Sequence, residues 1–304
     1  MYNEYIKNQY MDQAEERFSK IRYVLTGYFN DSAIIEETKQ KDISCFSFQD
    51  IVDYYKSLST KSIDLLMNIN SQLKLYTDWC IKEEISHHNY FCEIDRLALE
   101  KCINIEVLNK GIISREEMLD LLRSPLIRNA CDKFLIIALF EGICGREYCE
   151  LLEASMNNFK DMIADFSEVD NRSFPVSAEL VEVARESANE MIFYRSDGKA
   201  IRYLSDDNRC IKKWKKNSSE RNEAYVIIAK LKQLKETLNR NCISRGNLLE
   251  SGRIDMIKKY MREENISAEE VLSSKYHRKE IEFRYGAIQV VASYCRKYKE
   301  ALNR

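Results

Sequence analysis

Only two prolines, Pro125 and Pro175, and eight glycines interrupt this 304-residue chain. Inside a helix a glycine costs about 1 kcal/mol and a proline about 3 kcal/mol relative to alanine. A chain with so few of both is free to build long helices. Its apolar residues use that freedom. Tyr5, Ile6, Tyr10, Ala14, Phe18, Ile21 and Leu25 recur at helical spacing and predict one amphipathic helix over 1–30. The polar stretch 30–42 reads as a linker. Ser47 with Asp50, Ser114 with Glu117 and Ser267 with Glu270 have the spacing of capping boxes and predict three helix starts. A further helix follows Ser62, with Leu65, Ile69, Leu73, Tyr76 and Ile81 on its apolar face, and another covers about 91–108.

The segment CDKFLIIALFEGI predicts a buried helix ending near Gly142. Between Phe159 and Val176 the period shortens, and DMIADF and RSFPV separated by SEVDN read as a hairpin. A second short hairpin is centred on Asp197-Gly198. Helices then return in AYVIIAKLKQLKETL, over about 247–262, after Ser267 and from about 280. The expected fold is mainly α with a small β-sheet. Three parts are expected: an N-terminal helix and linker over 1–42, a helical domain over 43–112 and a larger domain over 113–304.

Several classes are excluded. The longest apolar run, Phe134 to Phe140, is far too short to span a membrane. The N-terminus lacks the apolar stretch of a signal peptide. Ten cysteines stand singly with no CxxC pair, which predicts reduced thiols in a cytoplasm. His87 and His88 lie between Cys80 and Cys92, an order that fits no common zinc spacing, so no metal is expected. There is no Gly-rich phosphate loop, and no cofactor is expected.

Net charge is only −2, yet it is unevenly spread. Residues 195–304 hold 26 Lys and Arg against 15 Asp and Glu, a net of +11, while both preceding thirds are acidic. A polyanion is drawn to that last third. The candidate contacts are Arg195, Lys199, Arg202, Arg209, Lys212, Lys213, Lys215 and Lys216, with Trp214 inside the KKWKK run. Arg245, Arg253, Lys258 and Lys259 make a second set near a helix start. A solvated loop remains the competing reading of the lysine run.

The order of these pieces resembles the tyrosine recombinases and phage integrases. Residues 43–112 resemble their helical core-binding domain. SREEMLDLL, FEGIC, ELLEA and the hairpin leading to FPVSAEL resemble the opening of their catalytic domain. The resemblance implies two arginines and a lysine or histidine that neutralise a scissile phosphate, with a tyrosine as nucleophile. At the first arginine position this chain has Cys144, after Gly142-Ile143. The segment MIADFSEVDNRSFPV has no lysine. Gly246 and Leu249 stand at the His-x-x-Arg positions, and Tyr285 occupies the nucleophile position with Tyr294 as its rival.

With those groups missing, the resemblance implies a catalytically inactive scaffold that still binds double-stranded DNA. More narrowly, it is similar to the integrase-fold master repressors of SPβ-type Bacillus prophages. That implies a sequence-specific repressor of lysogeny acting on operator-like repeats in the bacterial cytoplasm, relieved by a phage or host protein. Two alternatives stand beside it. One is a divergent active recombinase in which Arg146, Arg245 and Arg253 are the working arginines. The other is a helical protein-interaction scaffold.

Overall fold

The computed structural model describes residues 1–16, 21–195, 201–213 and 223–304. The chain divides into two compact units, 1–108 and 109–304.

The first unit is all helical: α1 (Glu4–Glu15), α2 (Ile21–Lys39), α3 (Phe48–Ser57), α4 (Ile63–Lys82), α5 (Arg96–Glu100) and α6 (Ile105–Asn109), the last crossing the boundary. Ser47 and Asp50 form the expected capping box at α3, and the Ser62 hydroxyl caps α4 by accepting from Leu65 N. Tyr76 is fully buried at the centre, with its ring 5.1 Å from Tyr10 and 4.8 Å from Phe29.

Three expectations need correction here. The helix predicted over 1–30 is two helices, α1 and α2. The stretch read as a linker is largely helical, because α2 continues to Lys39. Its polar residues are not all solvated. Glu36 is fully buried, takes two hydrogen bonds from Lys7 Nζ at 2.5 and 2.7 Å, and also accepts from Ser32 and from Ile43 N. The helix expected over 91–108 is also two short ones, each begun by its own cap: Asp95 accepts from Ala98 N and Asn104 from Val107 N.

The second unit is built on α8 (Ala130–Phe140), whose residues Phe134 to Phe140 are all fully buried. A helix apolar on every side must be surrounded. α11 (Ala178–Asn189) and α13 (Arg245–Glu264) pack along it, and α7 (Arg115–Leu122) abuts it after the capping box of Ser114 and Glu117. After α9 (Cys149–Glu153), the strands β1 (Phe159–Lys160), β2 (Ile163–Phe166) and β3 (Arg172–Pro175) form an antiparallel sheet in that order. Ala164 pairs with Phe174, and both face the core together with Phe166. The predicted hairpin connection SEVDN closes as one helical turn, α10 (Ser167–Asp170).

A second pair, β4 (Ile192–Tyr194) and β5 (Ile201–Tyr203), is also antiparallel. Its Asp197-Gly198 turn lies outside the described residues. α12 (Glu223–Leu238) leads to α13. Then come α14 (Ala268–Ser273), begun by the Ser267 and Glu270 box, α15 (Lys275–Tyr285), α16 (Val291–Lys297) and α17 (Lys299–Asn303). The last helix, expected from about 280, is therefore three helices. Gly286, at φ +90, ends α15 and its carbonyl faces back toward Arg253. Among the described residues no helix is long and apolar enough to cross a membrane.

Candidate functional site

The end of α8 gathers the residues that the chemistry concerns. Tyr285, the last residue of α15, lays its ring against two glycines. A Cβ on Gly142 would stand 3.1 Å from Tyr285 Cε1, and one on Gly252 would stand 2.9 Å from the Tyr285 hydroxyl. That hydroxyl donates to the carbonyl oxygen of Phe140 at 3.0 Å. Burial pushes the phenol up to about 12. The neighbouring guanidinium of Arg284 opposes the shift, and the carboxylate of Glu141 adds to it. A phenol in this setting holds its proton at neutral pH.

Arginines collect here from positions other than Cys144, Gly246 and Leu249. Arg284 reaches Glu141 through Nη2 at 2.8 Å and its carbonyl through Nε at 2.6 Å. Arg115 donates to the other oxygen of Glu141 at 2.9 Å and to Asp255 at 3.0 Å. Arg172, on β3, pairs with Glu150 at 3.3 Å and donates to the carbonyls of Gly142 and Arg284, each at 3.0 Å. Arg253 pairs with Glu250 at 3.2 Å and donates to the carbonyls of Tyr285 and Gly286. Each of these four guanidiniums therefore already holds a carboxylate. Tyr294, the rival phenol, is buried and donates to Glu250 at 2.5 Å.

The position read as a missing arginine is more subtle. Cys144 is buried, and its Sγ accepts from Arg245 Nε at 3.2 Å. Burial pushes the Cys144 thiol up, and the Arg245 charge partly opposes that. Arg245 is exposed at the start of α13 and lies over the Tyr148 ring, 5.2 Å from its centre. The loop that carries Tyr148 is tightly wound: Gly145, Glu147 and Tyr148 all have positive φ. Of the four degenerate positions, Cys144 and Tyr285 thus share the end of α8. Gly246 instead faces open space, and Leu249 is half-buried against the edge of the core. The segment 162–176 holds no lysine, but Arg172 on β3 supplies a cation there. The signal that finds it is a cation of any kind in a strand bordering the site.

The expected DNA contacts divide into three groups. Arg202 on β5, Lys213, Lys259 and Arg245 are exposed, and Lys212 and Lys258 are half-exposed. Arg195, just after β4, is exposed too. Arg209 is tied to Glu153 at 3.0 Å. Arg253 is corrected: its guanidinium is turned inward among Glu250 and two carbonyls, so it offers little to an outside phosphate. Lys199, Lys215, Lys216 and Trp214 lie outside the described residues.

Known proteins agree with this layout. The description "MrpR, C-terminal catalytic domain" matches residues 112–303, and "MrpR, N-terminal core-binding domain" matches residues 1–82. The chain belongs to the MrpR family. MrpR proteins thus share the tyrosine-recombinase-like arrangement of a core-binding and a catalytic domain, on a mainly helical chain with small sheets. The MrpR core-binding match starts at residue 1, so α1 and α2 fall within it. The chain is also similar to the SPbeta prophage-derived uncharacterized protein YopR of Bacillus subtilis (strain 168). The two are 24% identical over 271 residues, which cover 84% of this chain and 81% of the relative.

Proposed function

We propose that this protein binds double-stranded DNA without cutting it, as a repressor that maintains lysogeny in a prophage. One observation carries the non-catalytic part. Arg115, Arg172, Arg253 and Arg284 are each engaged by a carboxylate of the chain itself, and the Tyr285 hydroxyl is spent on the Phe140 carbonyl. Transition-state stabilisation needs donors aimed at the charge that develops on the phosphate. Here Glu141, Glu150 and Glu250 already engage the guanidiniums that such an anion would need. The DNA-binding part rests on the core-binding family match and on the net charge of +11 over 195–304. The prophage setting rests on the likeness to YopR.

A second reading has one observation in its favour. Arg245 presents an exposed guanidinium beside Cys144, and no carboxylate holds it among the described residues. A divergent recombinase could use it if the Tyr285 hydroxyl left Phe140. A nicked suicide duplex separates the two readings. The expected result is retarded DNA with no covalent adduct. An adduct that disappears in Tyr285→Phe would overturn the repressor reading, and the absence of any retardation at low salt would leave a protein-interaction scaffold.

A further inference from the structure

The turn between β1 and β2 consists of two residues, Asp161 and Met162, at φ 50 and 58. Both central residues of a type I′ hairpin turn need positive φ, which is why Asn-Gly is the usual choice. A methionine held there is strained, because its Cβ crowds the backbone. Satisfied backbone helps to hold it: Val176 N donates to the Met162 carbonyl at 2.8 Å. Its side chain is nevertheless thrown outward and is 57% exposed, with Ile163 beside it at 43%. Asp161 in the turn and Asp165 two residues past Ile163 on β2 are exposed, as is Lys160 on β1. The turn thus displays an exposed thioether next to the Asp161 carboxylate.

The same unit has a surface of the opposite kind. One face of α15 and the turn after it form an open groove of about 490 Å³, lined by Lys275, Arg278, Lys279, Glu282, Phe283 and Ala287. Phe283 is 46% exposed. Glu282 is occupied internally, accepting from Arg278 and from Ile288 N at 2.9 Å each. Lys275 and Lys279 are exposed and make no ion pair among the described residues. The groove is therefore an apolar floor with two uncompensated positive charges on its rim.

We propose that the Asp161–Met162 tip of one copy seats in the α15 groove of a second copy, with Met162 against Phe283 and the Asp161 carboxylate against Lys275 and Lys279. Sulfur-aromatic contact and charge complementarity both favour this occupant. A bare duplex supplies phosphates for the lysines but offers little to Phe283. A contact this small is weak by itself. It gains strength when neighbouring copies are already held side by side.

The test is sedimentation velocity of the full chain at low salt without DNA, so it does not depend on the DNA-binding reading. The wild type should sediment faster as its concentration rises. Asp161→Lys and Lys279→Asp should each abolish that shift, and the two together should restore it. Met162→Gly removes the knob and relieves the backbone, so it should lose the shift while its melting temperature rises. A merely structural role would lower both. A wild type that stays monomeric at every concentration, or a charge swap that fails to rescue, overturns the proposal. So does a Lys275→Ala/Lys279→Ala variant that keeps the concentration-dependent shift but binds a short duplex more weakly, since the groove would then be a DNA contact.

Discussion

Gly252 of α13 approaches Phe140 of α8 so closely that a Cβ at position 252 would lie 1.6 Å from the Phe140 carbonyl oxygen. No rotamer relieves that overlap, because the obstacle is backbone. The two helices must part before any larger residue fits. Gly252→Ala should therefore cost about 3 kcal/mol or more, at the upper end of overpacking effects. Thermal denaturation of the variant checks this. A melting temperature within a degree or two of wild type would mean that the helices are not in contact here.

Glu141 is 2% exposed at its side chain and bridges Arg115 and Arg284. Glu141→Gln leaves two guanidiniums facing a neutral amide. Breaking a buried charge network from one side typically costs about 3–5 kcal/mol. The vacated negative charge also makes the site attractive to an external anion. Sulfate should then raise the melting temperature of Glu141→Gln by more than it raises that of wild type. Equal responses would show that the arginines are not competing for an anion at this place.

The local parts of this architecture were legible in the sequence, and the long-range parts were not. The Ser47, Ser114 and Ser267 boxes each close within three residues, so spacing alone reveals them. The unbroken apolar run of α8 likewise announces its own burial. Glu36 misleads because the lysine that neutralises it lies 29 residues away, so a polar stretch that is partly buried looks solvated. Arg172 and Arg284 are invisible for the same reason. Arg172 donates to the carbonyl of Arg284, 112 residues along the chain, and Glu141 and Arg284 lie 143 apart. Spacing rules speak only to neighbours. A site assembled from α7, α8, α9, β3, α13 and α15 leaves no local pattern.

Lys7 and Glu36 are both fully shielded from solvent. Burial raises the Glu36 carboxyl, and the Lys7 charge and hydrogen bonds bring it back only in part. Lys7→Met strands the carboxylate and should destabilise the first unit by about 3–5 kcal/mol. Lys7→Met with Glu36→Leu removes both charges, but it also strips Ser32 and Ile43 N of an acceptor. The double variant should recover part of the loss. Urea denaturation of the two variants measures it, and a double variant no more stable than Lys7→Met would mean that the stranded carboxylate is not the cause of the loss.

Asp50 closes the α3 capping box and receives Lys39 Nζ at 2.5 Å. Desolvation works against its charge, but the bonds from Lys39 and Ser47 outweigh it and hold the carboxyl at about 2. An unfolded aspartate titrates near about 3.9. The folded value is the lower one, so the stabilisation is complete above about 4 and lost as pH falls through about 2. Asp50→Asn should melt below wild type at pH 7, and that gap should close on acidification across this window. A gap that persists unchanged to the lowest pH would assign the effect to packing rather than to charge.

The DNA reading makes its sharpest claim through salt. Lys212 adjoins Lys213, whose carbonyl accepts from Ser205 N, two residues past β5, and the chain continues into Trp214, Lys215 and Lys216. Each phosphate neutralised by such a side chain releases condensed counterions, contributing about 0.9 to the slope of log affinity against log salt. Replacing all four lysines with alanine should weaken binding to every duplex and flatten that slope by up to about 3.6 if each touches one phosphate. Arg253→Ala should leave the slope unchanged, because its guanidinium is already spent on Glu250 and the carbonyls of Tyr285 and Gly286. The two substitutions together separate charge that faces DNA from charge that holds the fold. Fluorescence anisotropy across a salt series reads both. An unaltered slope in the lysine variant would remove this segment from the interface, and a flattened slope in Arg253→Ala would return that arginine to it.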